Sequence, residues 1–223
     1  MLKNDKLNIR TDWCDPLTNT SFSSLAAFWA ITIHGIDVYL VLIFTTLLCV
    51  IFQIDAVQQW VIWDKSAIFN GELWRILTGN FSHTNISHLL MNLAALSGIC
   101  FLFSPNRNQL ITALLLISLA TGIALLITDI ELYVGLSGTL HGLFALFALK
   151  EAIEGRKSSW VLVAGVIVKV GWEQLYGASA TTSSMIGARV AIEAHLAGTL
   201  AGIALALLLA YRKLQSLKTR NDE

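Results

Sequence analysis

Six apolar runs, five of them near the length that crosses a lipid bilayer, constrain this chain more than any motif in it. A hydrocarbon core about 30 Å thick needs roughly 20 apolar residues per helix. Hydropathy places such runs at about 37–54, 86–103, 109–128, 137–150, 159–176 and 192–211. Of the 223 residues, 55% are hydrophobic and 13% charged, whereas soluble domains run nearer a quarter charged. In lipid every backbone polar group must be satisfied within the protein, so these runs are read as helices. The expected fold class is an all-α polytopic membrane protein, a bundle of six transmembrane helices.

Three regions follow from the runs. Residues 1–36 form an N-terminal segment, 37–211 the membrane domain, and 212–223 a basic tail. Within the first, 22–36 is apolar but broken near His34, Gly35 and Asp37, which suits an interfacial helix or a lead-in to the first span. The first twenty residues are polar and mixed in charge, unlike a signal peptide. Lys3, Lys6, Arg10, Arg107, Lys150, Arg156, Lys157, Arg212, Lys213, Lys218 and Arg220 all fall on one side if both termini are cytoplasmic. Lys65, Arg75 and Arg189 fall on the other, and this asymmetry orients the chain. Zero formal net charge gives no basic surface for nucleic acid. Cys14, Cys49 and Cys100 form neither an even set nor a CxxC pair, so no disulfide framework or metal knuckle is expected.

Two stretches between the runs are informative. The outer loop from Asp55 to Asn85 carries Trp60, Trp63, Phe69 and Trp74, a density that suits an ordered element at the membrane interface. The fourth run, 137–150, would rise only about 21 Å as a helix. If Lys150 marks the cytoplasmic interface, Ser137 lies roughly 10 Å below the outer one. Residues 128–135 are then non-helical backbone at membrane depth, tolerated only when buried in protein or lining a water-filled cavity. A recessed wet cavity with a serine at its floor is expected.

The polar residues inside the apolar runs supply the chemistry. Ser137, flanked by Gly135 and Gly138, starts the fourth helix, where unpaired N–H groups favour negative charge. His195 shares a helical face with Gly198 and Gly202, and small residues allow close helix approach. On facing helices, Ser137 and His195 make a nucleophile and its base. His88 and Asn92 share a face near the outer end of the second helix and can both donate hydrogen bonds to an oxyanion. His83 lies just upstream. Lys169 and Glu173 are an i,i+4 pair in the fifth helix, read either as a mutual ion pair or as a substrate-recognising pair. Each feature alone also fits packing: small residues for helix contact, His and Asn as polar glue.

Together, Trp74-Arg75, His83, His88-x-x-x-Asn92, Gly135-x-Ser137-Gly138 and Ala194-His195-x-x-Gly198-x-x-x-Gly202 resemble the rhomboid family of intramembrane serine proteases. The resemblance runs from the loop before the second helix to the sixth. It implies a serine endopeptidase with Ser137 as nucleophile and His195 as general base. It implies an oxyanion hole of His88, Asn92 and the Ser137 backbone N–H. The implied site is a dyad; Glu193, close to His195 in sequence, is no part of the pattern. Gly135-Leu136-Ser137-Gly138-Thr139-Leu140-His141-Gly142 places His141 where many rhomboids carry tyrosine packed on the catalytic histidine, and it resembles the bacterial rhombosortase branch. That likeness implies substrates with a C-terminal glycine motif, one membrane helix and a basic tail, and a place in the bacterial inner membrane. Transmembrane proteins and the bilayer are the implied partners; no cofactor or metal is implied. The competing readings are a rhomboid-like pseudoprotease that binds membrane clients, and a transporter or metal site built from His83, His88, His141 and His195, for which no carboxylate sits in ligand spacing.

Overall fold

The computed structural model describes residues 37–221, and the apolar 22–36 stretch lies outside them. Helix α1 (Asp37–Ile51) leads into α2 (Asp55–Val61), strand β1 (Trp63–Asp64), α3 (Lys65–Phe69), α4 (Arg75–Thr78) and a 3-10 turn at Gly79–Phe81. Then come α5 (Ile86–Phe103), α6 (Arg107–Ala124) with a 3-10 turn to Ile127, strand β2 (Leu132–Tyr133) and α7 (Ser137–Ile153). α8 (Ser159–Tyr176), α9 (Ala180–Ile186) and α10 (Ile192–Asn221) complete the chain.

By length and apolarity, α5, α6 with its 3-10 turn, and α10 can each cross a bilayer. Two bent pairs raise the number to five: α1 with α2, bent by 103°, and α8 with α9, bent by 87°. A sixth crossing would rest on α7, whose 17 residues rise about 26 Å, less than a roughly 30 Å core. Two expected boundaries are corrected. α7 continues three residues past Lys150, to Ile153. α10 continues to Asn221, so the basic tail begins as helix; its Leu, Lys, Arg and Gln residues are good helix formers.

α7 is the hub. Leu140, Leu143, Leu146, Phe147, Ala148 and Leu149 are all buried, because α5, α6, α8 and α10 pack around it. Large apolar side chains on the outside, such as Phe101, Ile127, Val161 and Leu175, are exposed, as the absence of a water-facing surface in lipid requires. The closest approach is between α7 and α10. A Cβ on Gly198 would lie 2.6 Å from the Gly138 carbonyl carbon, and one on Gly202 would lie 2.7 Å from that of Gly142. The seam fixes the register of the two helices. At its far end Glu154 accepts from Lys150 at 3.0 Å and from Lys213 at 3.2 Å. The Lys150 ammonium holds the Glu154 carboxyl below the usual range, with Lys213 helping.

The loop from Asp55 to Asn85 is ordered, as its tryptophans lead one to expect, and it supports the segment between α6 and α7. β1 pairs antiparallel with β2, Trp63 opposite Tyr133. Trp63 is fully buried and donates to Gly122 O at 2.9 Å, whereas Trp60, Phe69 and Trp74 are exposed. Lys65 Nζ donates to Thr128 O at 2.6 Å and Gly135 N–H to Gly79 O at 3.2 Å. These bonds satisfy backbone groups of the non-helical segment, as lipid surroundings would require. Arg75 is buried and ties the loop to itself through Glu72, Gln59 O and Ile62 O. Below it, Asn80 donates to Ser118 O at 3.1 Å and accepts from Thr139 Oγ1 at 3.2 Å, joining the loop to α6 and α7.

Gly198→Leu and Gly202→Leu are expected to destabilise the detergent-solubilised protein by at least the roughly 1–3 kcal/mol typical of overpacking, while Ser137→Ala leaves its thermal unfolding unchanged. Unfolding curves for the three variants check this; wild-type stability in both leucine variants would show that the seam is not a contact.

Candidate active site

The site is built where the recessed loop enters α7. Gly135 has φ +127°, a conformation side-chain-bearing residues rarely adopt. A Cβ there would also meet the His88 ring at 2.7 Å. Tyr133 Oη donates to Gly135 O at 2.5 Å and holds the turn. Ser137 is then the first residue of α7, and no side chain caps that helix. Its first-turn N–H groups are the unpaired donors of a helix start.

The seam between α7 and α10 brings the expected nucleophile and base together: Ser137 Oγ lies 2.9 Å from His195 Nε2. His195 is buried at 4% exposure. His141, one turn below Ser137, stacks on the His195 ring with centroids 4.1 Å apart and an interplanar angle of 21°. Its Nδ1–H donates to Ser137 O at 2.7 Å. His141 thus occupies the stacking position that its place in the sequence leads one to expect.

His88 and Asn92 reach the same cavity from α5. Asn92 is buried, and its Nδ2 has no hydrogen-bond partner among the described residues. A buried amide with free protons is costly unless something fills the site. His88 is less free. Thr84 Oγ1, which donates to Ile186 O at 2.6 Å, lies 3.1 Å from His88 Nδ1. A neutral His88 that donates from Nδ1 to Thr84 presents a lone pair at Nε2. It offers an Nε2 proton only when Nδ1 accepts, as from the Thr84 N–H at 3.5 Å. Asn92 is therefore the better-prepared donor. His83 is buried edge-on to His88 with centroids 5.0 Å apart. Burial, and secondly the charge of His88, push its pKa down to about 3, so it serves as a neutral wall.

Glu193, close to His195 in sequence, pairs with Arg189. The acid beside His195 is Glu173, whose Oε2 lies 2.8 Å from Nδ1. Its Oε1 takes a 2.7 Å bond from Lys169 Nζ. The ion pair expected of Lys169 and Glu173 is present, and both Glu173 oxygens are engaged. Lys169, its side chain half exposed, still faces the cavity. The fold also brings a carboxylate to the histidines, which their sequence spacing hides. Ligand atoms of His141, Glu173 and His195 lie within 4.8 Å of one another, yet both carboxylate oxygens and the Nδ1 atoms of both rings are engaged in hydrogen bonds.

The cavity holding these groups has a volume of about 440 Å³ and is lined by α5, the recessed loop, α7, α8 and the α9 region. A second, almost wholly apolar groove of about 410 Å³ lies between α5 and α8, walled by Gly98 and Leu102 on one side and Gly165 and Val166 on the other. His141 and Lys169 border both. Sequence reasoning missed the supporting cluster of Asn80, Ser118 and Thr139, because single hydroxyls and amides in apolar runs carry no pattern.

Asn92→Ala is expected to lower kcat about 100- to 1000-fold with little change in KM, the usual cost of one oxyanion donor, and His88→Ala to cost less. Steady-state kinetics on a membrane-span substrate check this; a change confined to KM would move Asn92 to substrate binding.

Comparison with known proteins agrees with this geometry. Residues 70–212 match the Rhomboid domain family. The Bacillus subtilis (strain 168) protein named "Putative rhomboid protease YdcA" is 27% identical over 161 residues, which cover 66% of this chain and 72% of that protein. The matched region holds the helices and loops that carry Ser137, His195, His88 and Asn92, and this multi-pass membrane protein belongs to the rhomboid family.

Proposed function

We propose that the protein is an intramembrane serine endopeptidase that cuts single-span membrane substrates near the outer face of the bilayer. The observation that carries this reading is the 2.9 Å contact between Ser137 Oγ and His195 Nε2 at an uncapped helix start inside a cavity. A substrate helix enters sideways between α5 and α8, where the apolar groove supports a lipid-side approach. Its end unwinds into the polar cavity. Ser137 Oγ attacks the scissile carbonyl as its proton passes to His195 Nε2. The carbonyl electron pair becomes an oxyanion, held by the Ser137 N–H, Asn92 Nδ2 and His88. The Nε2 proton then goes to the leaving amine as the C–N bond breaks. Water, activated in turn by His195, releases the acyl group.

The substrate class we favour is a C-terminal sorting signal of glycine motif, membrane helix and basic tail. The sequence from Gly135 to Gly142, with histidine at 141, supports it. Lys150, Arg156 and Lys157 near the end of α7, four basic residues at the end of α10 and Arg107 between α5 and α6 support cytoplasmic termini, and the rhombosortase likeness supports a bacterial inner membrane. Ser137→Ala and His195→Ala are each expected to abolish cleavage of such a substrate in proteoliposomes while the protein stays inserted and folded. Proteolysis retained in either variant would rule out this pair as nucleophile and base.

A further inference from the structure

We infer that Glu173 is a positioning residue for His195, and that Lys169 fixes the orientation in which it acts, so that the site is a Ser137–His195–Glu173 triad. The inference rests on the protease reading above and adds a third member to it.

The argument begins with protons. An ionised carboxylate only accepts hydrogen bonds. Glu173 Oε2, 2.8 Å from His195 Nδ1, therefore requires the proton on Nδ1. A neutral imidazole has one N–H, so Nε2 carries the lone pair, and that nitrogen faces Ser137 Oγ. Without Glu173 the ring is free to take the other tautomer, because a serine hydroxyl can either donate or accept. The carboxylate thus selects the form that can act as a base. When the Ser137 proton reaches Nε2, the imidazolium lies against a negative charge, and its Nδ1 proton stays on the ring.

Lys169 makes the carboxylate stable in this place. Glu173 is 8% exposed, and a buried charge is costly unless paired and hydrogen-bonded. Each oxygen has one partner, His195 on Oε2 and Lys169 on Oε1, so the group cannot rotate freely. The three members come from three helices: α7, α10 and α8. The other titratable groups around His195 are His141, stacked on its ring from α7, and His88 from α5. The Arg189–Glu193 pair sits just before it in sequence.

The clamp yields a test that a merely structural role would not pass. In Glu173→Gln, the Lys169 ammonium can only donate, so it holds the amide oxygen. The amide NH2 then points at His195 Nδ1 and forces Nδ1 to accept, placing the proton on Nε2, where it blocks the base. In Glu173→Gln/Lys169→Met the amide can turn its oxygen to Nδ1–H and restore the working tautomer. Cleavage of a single-span substrate by the full chain in proteoliposomes reads the outcome. We expect Glu173→Gln to lower kcat by about 1000-fold or more, as for other triads given the wrong tautomer, with KM nearly unchanged. We expect the double variant to recover at least tenfold over it. Wild-type kcat in Glu173→Gln, a loss confined to KM, or a double variant no better than the single one would overturn the inference. If Glu173→Gln does not fold, Glu173→Asp, which withdraws the carboxylate by one methylene, serves instead. Lowered kcat there supports the triad, and wild-type kcat refutes it. A wild-type protein that cleaves nothing would instead refute the protease reading itself.

Discussion

The close contact of α7 with α10 is the constraint on which the rest of this structure depends. Membrane helices gain little from hiding apolar surface, since lipid is as apolar as leucine, so they associate by packing and interhelical hydrogen bonds. Gly138 and Gly142 on one side, with Gly198 and Gly202 on the other, remove the side chains that would hold the helices apart. The reward is positional: Ser137 and His195, 58 residues apart, meet at 2.9 Å. His141 and the His195 ring stack only because the two backbones are this near.

The second constraint is water at membrane depth. Backbone that is not helical must find partners there. The loop from Asp55 to Asn85 supplies them through the β1–β2 pair, Lys65 and Gly79. The loop is therefore a scaffold for the start of α7, and the buried Arg75 and Asn80 hold the scaffold in shape. The same arrangement leaves Asn92 Nδ2 without a hydrogen-bond partner among the described residues, in the cavity that holds Ser137. A buried donor without a partner is a cost to stability that makes sense where charge develops during a reaction.

Much of this was legible in the sequence, for identifiable reasons. Helices α5 and α8 begin and end where hydropathy puts them, because polar residues and glycine bound both. Ser137 could be placed at a helix start because the fourth apolar run is too short to span. His141 could be placed on His195 because i,i+4 spacing fixes its face. What was hidden is long-range. Glu173 reads locally as the partner of Lys169, and the spacing to His195 carries no signal that the two meet. Hydropathy ends the last run at residue 211 while α10 runs on to Asn221, because hydropathy reports where lipid ends and not where a helix ends. Asn80, Ser118 and Thr139 join three separate segments, which no local pattern reports.

The central claim is that Ser137 is an activated nucleophile in a water-filled cavity, with His195 as its base. A serine-directed fluorophosphonate probe, applied to the purified protein and mapped by mass spectrometry, tests it most directly. The account predicts a single adduct on Ser137, lost in Ser137→Ala and strongly slowed in His195→Ala. An unlabelled wild-type protein, or labelling that persists in Ser137→Ala, would contradict it.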